Sequence, residues 1–194
     1  MAVSLLSLAA AAGDWAVITG ASTGIGRQLA LEAAREGYNV VLTARRAPLL
    51  QKLAAEIEAE HAVATRVCAG CLTDAKFVER LRDAAPGSVS LLVANAGCGM
   101  EGDAVAAPRA RVRSMLELNV LSTTQVCQLF ASDFVRDRRG RVLLVSSLTS
   151  AVPMPGGAAY AASKSYVRSF AGALRDEVRP AGVSVTCMCP GATT

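Results

Sequence analysis

"WAVITGASTGIG", residues 15–26, joins an apolar, β-branched run to a turn punctuated by Gly20, Gly24 and Gly26. Trp15 to Thr19 suit a strand buried on both faces, and the amphipathic stretch that follows, up to Gly37, suits a helix. Strand, tight turn and helix in direct succession open a βαβ unit. Gly20 can take a turn conformation closed to other residues, Gly24 lets a ligand approach the backbone, and Gly26 lets the helix start pack close. Ser22, Thr23 and Ile25 fill the intervening positions of this turn. The helix start also presents unpaired N–H donors, so the turn suits the pyrophosphate of a dinucleotide.

Working outward, the same alternation continues. "WAVITG" (15–20), "YNVVLTA" (38–44), "TRVCA" (65–69), "VSLLVAN" (89–95), "RVLLVSS" (141–147) and "VSVTCMC" (183–189) read as buried strands. Residues 25–36, 49–60, 74–85, 110–137 and 159–179 carry apolar positions at helical spacing, with Gly37, Pro86, Gly140 and Pro180 near helix ends and Asp74 as a helix N-cap. The pattern predicts an α/β fold: a parallel sheet with helices on both faces and right-handed crossovers. In such a sheet ligands bind beyond the carboxyl ends of the strands. The unusual residues fall there: the glycine turn, Arg45, Asn95 to Gly97, Ser147 and Pro190.

At 194 residues the chain suits one domain, residues 14–194, preceded by an N-terminal extension, 1–13. With 52% hydrophobic and 19% charged residues and no repeat or low-complexity tract, the composition is that of a folded domain. The net charge of +4 is scattered and aromatics are 4%, which leaves neither a basic face nor a stacking platform for nucleic acid. Six cysteines with His61 as the one histidine lack the spacing of a zinc site. Cys187 and Cys189 point to one face of a strand and pack as small apolar residues, which fits a reducing, cytoplasmic setting. "MAVSLLSLAAAAG" (1–13) has no basic n-region and is too short to span a bilayer, so it reads as a lead-in to the first strand rather than a targeting peptide. No other run has the length of a transmembrane helix.

Two further stretches carry chemistry. In "LTARRAP" (42–48) no acid follows the second strand to bind a ribose 2′-hydroxyl; Arg45 and Arg46 stand where a 2′-phosphate lies, which favours NADP(H) over NAD(H). In "AYAASKSYV" (159–167) Tyr160 and Lys164 share a helix face. A free tyrosine, with a pKa near 10, is a poor acid/base at neutral pH, and an adjacent ammonium favours its phenolate. Ser147, at the end of the fifth strand, can hold a substrate oxygen.

Together with the glycine turn, "ANAG" (94–97), "LNV" (118–120), "VSS" (145–147), "YAASK" (160–164) and "PG" (190–191), in this order, resemble the short-chain dehydrogenase/reductase family from about Trp15 to the last residue. The resemblance implies a Rossmann-like doubly wound sheet of about six strands in the order 3-2-1-4-5-6. It implies reversible hydride transfer between NADP(H) and a small-molecule carbonyl or alcohol, as in the NADP-preferring carbonyl reductases of the family. Tyr160 would be the general acid/base. Lys164 would favour its ionised form and bind the nicotinamide ribose. Ser147 would polarise the carbonyl, and Asn119 would hold a water in the proton relay. Asn95, Ala96, Gly97, Pro190 and Gly191 would line the cofactor. The helices 110–137 and 159–179 would form a homodimer or homotetramer interface.

The chain departs from the family pattern at three places. An aspartate often follows the third strand; in "AGCLTD" (69–74) Cys71 stands there, with Leu72 after it as the cofactor-side residue of that turn. Ala94 replaces the first of two asparagines after the fourth strand. Relative to the family, the sequence stops at "CMCPGATT" (187–194), before the substrate-covering segment and a seventh strand, so Thr193 or Thr194 would replace a later threonine at the nicotinamide amide. This third departure leaves a competing expectation: a nucleotide-binding or dimerisation module without catalysis.

Overall fold

Burial on both faces explains the uninterrupted apolar runs of the central strands, β1 (Trp15–Thr19) and β4 (Val89–Ala94). The computed structural model describes residues 10–11 and 13–191; the readings of the leader over 1–9 and 12 and of Thr193 and Thr194 lie outside the described residues. β1 pairs in parallel with β2 (Asn39–Ala44) on one side and with β4 on the other. β3 (Thr65–Ala69), β5 (Gly140–Val145) and β6 (Val183–Met188) complete the sheet in the order β3-β2-β1-β4-β5-β6. Every pairing is parallel, as the βα alternation predicts.

Side-chain alternation divides each strand between two apolar layers. Ile18, Val40, Leu42, Leu91 and Leu143 face α1 (Gly24–Arg35) and α2 (Ala47–Glu60), meeting Leu29, Leu50, Leu53 and Ile57. Val17, Val41, Leu92, Val142 and Leu144 face the other layer, with α3 (Ala75–Arg82) and the helices that follow β4 and β5. The two edge strands depart from the expectation of full burial. Arg66 and Ala69 of β3, and Ser184 and Thr186 of β6, are exposed, because an edge strand lacks a neighbour and part of its cover.

The helix expected over 74–85 is shorter, although Asp74 caps it as expected by accepting from the Lys76 N–H at 2.9 Å. The helix expected over 110–137 is interrupted. It comprises α4 (Arg109–Leu116), one wide π-helical turn (Glu117–Ser122) and α5 (Thr123–Arg136). Hydroxyls explain the tolerance of this turn: Ser122 Oγ donates to the Glu117 carbonyl at 2.9 Å and Thr123 Oγ1 to the Leu118 carbonyl at 3.4 Å, each reaching five residues back. The last long helix, α6 (Ala158–Val178), lies within one residue of its expected bounds and packs Val167, Ala171, Leu174 and Val178 into the core. Among the described residues no helix is long and apolar enough to cross a membrane.

Candidate active site

The carboxyl ends of β1, β4, β5 and β6 open into one cleft of about 290 Å³. Its first wall is the glycine turn. Gly20 has φ +68°, which an L side chain rarely adopts. A Cβ on Gly26 would lie 2.3 Å from the Gly20 carbonyl oxygen and 2.3 Å from Asn95 Nδ2, so only glycine lets α1 start there. Gly24 has nothing within 4 Å of its would-be Cβ, and Thr23, at the N-cap of α1, makes no side-chain capping bond. The first N–H groups of α1 are thus left for an anion. A dinucleotide pyrophosphate fits this cradle on all three counts: an open face, unpaired donors and backbone that can approach.

Thr19 and Asn95 join this turn to the end of β4. Thr19 Oγ1 accepts from the Asn95 and Ala96 N–H groups at 2.9 and 3.0 Å and donates to the Val93 carbonyl at 3.2 Å. Asn95 Nδ2 donates to the Thr19 and Gly20 carbonyls at 2.9 and 3.3 Å. Asn95 therefore holds the turn by itself, although Ala94 stands where the family has the first of two asparagines. Ala96 and Gly97 carry the wall onward.

Ser147, Tyr160 and Lys164 meet on the opposite wall, beside Pro190 and Gly191. Ser147 closes β5 and caps the short turn Leu148–Ala151; its Oγ accepts from Thr149 N–H at 3.2 Å and from Thr149 Oγ1 at 3.0 Å. With both neighbours donating to it, its own proton is left to donate into the cleft. Tyr160 and Lys164 lie one turn apart on α6, with Lys164 Nζ 6.0 Å from the centre of the Tyr160 ring. Lys164 is buried, and Nζ donates to the Val145 carbonyl at 3.0 Å. Burial pushes the Lys164 pKa below the 10.5 of a free lysine. The Tyr160 hydroxyl makes no hydrogen bond among the described residues. A second hollow of about 440 Å³ opens on Tyr160 and is lined by Gly99, Met100, Glu101, Arg111 and Met154.

Asn119 sits in the π turn, buried behind this wall rather than on it. Its Oδ1 accepts from Cys98 N–H at 2.9 Å and its Nδ2 donates to the Cys98 carbonyl at 3.0 Å. Ser22, Gly24, Arg45 and Arg46 flank the cleft rather than line it. Arg46 donates to Ser22 Oγ at 3.0 Å and to Thr23 Oγ1 at 3.1 Å, which brings the end of β2 against the glycine turn. Leu72 does not line the cleft: its side chain is buried in the α3–α5 core layer, while Cys71 is exposed and meets Thr73 Oγ1 at 3.1 Å. An apolar side chain beside Phe77 gains more from burial than from facing a polar cleft.

Sequence reasoning missed Cys98, Gly99, Val145 and Ser146, which also line the cleft. Ser146 Oγ donates to the Lys164 carbonyl at 2.8 Å, tying α6 to the end of β5. The doubled serine in "VSS" was the available signal.

Sheet order, glycine turn and polar cleft define a nucleotide-binding domain of the doubly wound α/β class. The family model described as short chain dehydrogenase matches residues 14–194, and the chain belongs to that family. It is 39% identical over 178 residues to an uncharacterised oxidoreductase of Myxococcus xanthus, covering 91% of this chain and 70% of that one. It is 36% identical over 178 residues to a very-long-chain 3-oxoacyl-CoA reductase of Aspergillus clavatus, covering 89% of this chain but 52% of that protein, about half its length. A short-chain dehydrogenase from Sphingobium yanoikuyae, solved in complex with NADPH, superposes with a TM-score of 0.88 at 30% identity, over 93% of this chain and 72% of that one.

Proposed function

We propose that this protein catalyses reversible hydride transfer between NADP(H) and a ketone or the corresponding alcohol. The observation that carries this reading is the convergence of Ser147, Tyr160 and Lys164 on the cleft that the glycine turn also lines. The glycine turn would hold the pyrophosphate, and Arg45 and Arg46 the 2′-phosphate. Lys164 would hold the nicotinamide ribose through the N–H groups that Val145 leaves free. When bound, the nicotinamide supplies hydride chemistry at the carbonyl carbon.

In the reductive direction the free Ser147 proton holds the carbonyl oxygen, and Tyr160 gives its hydroxyl proton to the alkoxide that develops there. The Lys164 ammonium then lies near the resulting phenolate and opposes its negative charge. Asn119 takes part by fixing the Cys98 backbone beside the reacting groups, and the water it would hold returns a proton to Tyr160. The hollow lined by Met100 and Met154 would take the apolar arm of the substrate, as thioethers adapt to varied shapes.

Further parts of this reading concern assembly and setting. Leu116, Leu121, Val135 and Tyr166 are exposed on the helices expected to form a homodimer or homotetramer interface, so the reading includes that assembly, measurable by light scattering. Exposed free thiols at Cys71 and Cys98 suit the reducing cytoplasm.

The deciding experiment follows NADPH absorbance with purified protein and a broad panel of ketones and aldehydes. Substrate-dependent oxidation that Tyr160→Phe abolishes supports the enzyme. NADPH binding with no oxidation by any carbonyl supports the nucleotide-binding module instead.

A further inference from the structure

We infer that Ser163 is a positioning residue that fixes the Asn119 amide and, through it, the Gly97–Gly99 wall of the cleft. Ser163 lies between Tyr160 and Lys164 on α6 and is 1% exposed. Its hydroxyl donates to the Tyr160 carbonyl at 2.6 Å. A hydroxyl has one proton, so with that proton committed Ser163 meets any further partner as an acceptor. That partner is Asn119 Nδ2, at 3.1 Å.

This contact supplies something that the Cys98 contacts alone do not. Cys98 lies on an irregular segment, and both its N–H and its carbonyl bond to Asn119. Asn119 in turn rises from a π turn, a helical segment of irregular pitch. Ser163 connects that pair to the interior of a long, regular helix. It also opposes the reversed amide, which would set Oδ1 against the lone pairs of Ser163 and against the Cys98 carbonyl.

The consequence falls on the cleft. A Cβ at Gly97 would lie 3.1 Å from Asn119 Oδ1 and 3.3 Å from Lys164 Nζ, so this backbone already packs against the buried ammonium. Loosening Asn119 releases a segment that packs against Lys164. A residue that looks like helix filler in "YAASK" thus couples α6 to the end of β4.

The effect on turnover rests on the proposed function; the structural effect does not. Hydrogen exchange followed by mass spectrometry on Ser163→Ala is expected to speed exchange of the 95–101 segment about tenfold, leaving β1 and the rest of α6 unchanged. NADPH affinity is expected to stay within about twofold, while kcat on whichever ketone the wild type reduces falls about tenfold. In an Asn119→Ala background the same substitution should add nothing, since both act through one amide. Ser163→Cys keeps the volume but offers sulfur, a weak acceptor, and is expected to loosen the same segment should the alanine variant fold poorly. Unchanged exchange over 95–101 in both variants overturns the proposal, as does full additivity with Asn119→Ala. Absence of any ketone reduction by the wild type counts against the proposed function alone, because the exchange measurement still decides the role of Ser163.

Discussion

The two ends of the sheet hold comparable hollows and differ in how their polar groups are used. At the amino end a hollow of about 360 Å³, larger than the cleft, lies among Arg82, Asp133, Phe134 and Arg136. Arg82, Asp133, Arg136 and Asp137 are closed on one another. Arg82 grips Asp133 with two N–H groups, and Arg136 bonds both Asp133 and Asp137. Nearby, buried Asp14 accepts from Ser90 Oγ at 2.8 Å and from Ala11 N–H at 3.2 Å, and it pairs with Arg139. At the carboxyl end the Tyr160 hydroxyl, the Ser147 proton and the first N–H groups of α1 have no partner among the described residues. Between these two hollows volume would choose the wrong one; uncommitted donors choose the right one.

The contrast breaks if a residue of the cleft behaves like one of the amino end, or the reverse. The largest expected effect is that of Tyr160→Phe, which removes the proton donor: turnover falls about 10³-fold, or about 4 kcal/mol, with NADPH affinity nearly unchanged in a fluorescence titration. Asp14→Ala should do the opposite. It leaves Ser90 and Arg139 without their acceptor and costs about 2 kcal/mol in a urea melt, with kcat within twofold of wild type. A large loss of turnover in Asp14→Ala without unfolding would erase the distinction between the ends.

Smaller effects sharpen it. Replacing Arg45 and Arg46 together by alanine is expected to weaken NADPH about tenfold or more while leaving NADH nearly unaffected, and Arg45→Ala alone acts in the same direction. Equal losses for both cofactors would contradict the 2′-phosphate contact. The smallest effect concerns alkaline stability. Burial pushes the Cys127 thiol from 9.0 to about 12, and burial together with Cys189 pushes Cys187 to about 11. Above pH 9.0 the unfolded chain loses these protons while the folded chain keeps them, so stability falls as pH rises through that window. Lys164 works in the other direction, because its lowered pKa makes the unfolded chain hold the extra proton below 10.5. The thiols outnumber it, so melting temperature is expected to decline above about pH 9, and Cys127→Ala should flatten the decline.

The strands and the cleft motifs were legible because both are local. β1 and β4 announce themselves as apolar runs, and the glycine turn and the Tyr160–Lys164 spacing each lie within one turn of chain. What escaped depends on distant partners. Ser146 and Ser163 look like small helix-and-loop residues until their hydroxyls are seen on the Lys164 carbonyl and on Asn119. Leu72 follows a position that contacts adenine in the family, yet its side chain joins Phe77 in the core. The π turn left no trace in the apolar periodicity, because its compensation comes from the hydroxyls of Ser122 and Thr123 and not from hydrophobic spacing.

That turn fixes the length of the segment around it. An α-helical turn closes over four residues and this one over five, so it carries one residue more than the helices on either side, and deleting one from 117–122 would let α4 run on into α5 as a regular α-helix. Met115 and the Val126, Phe130 and Phe134 stripe would keep their faces toward the interior, but Asn119, which sits in the widened turn, would lose its aim at Cys98. The exposed stretch 101–106, by contrast, can gain or lose a residue with no change of phase in either helix. Two neighbouring parts of one polypeptide therefore differ in a property no contact reveals: one can change its count freely, while the other owes its aim at Cys98 to the extra residue it carries.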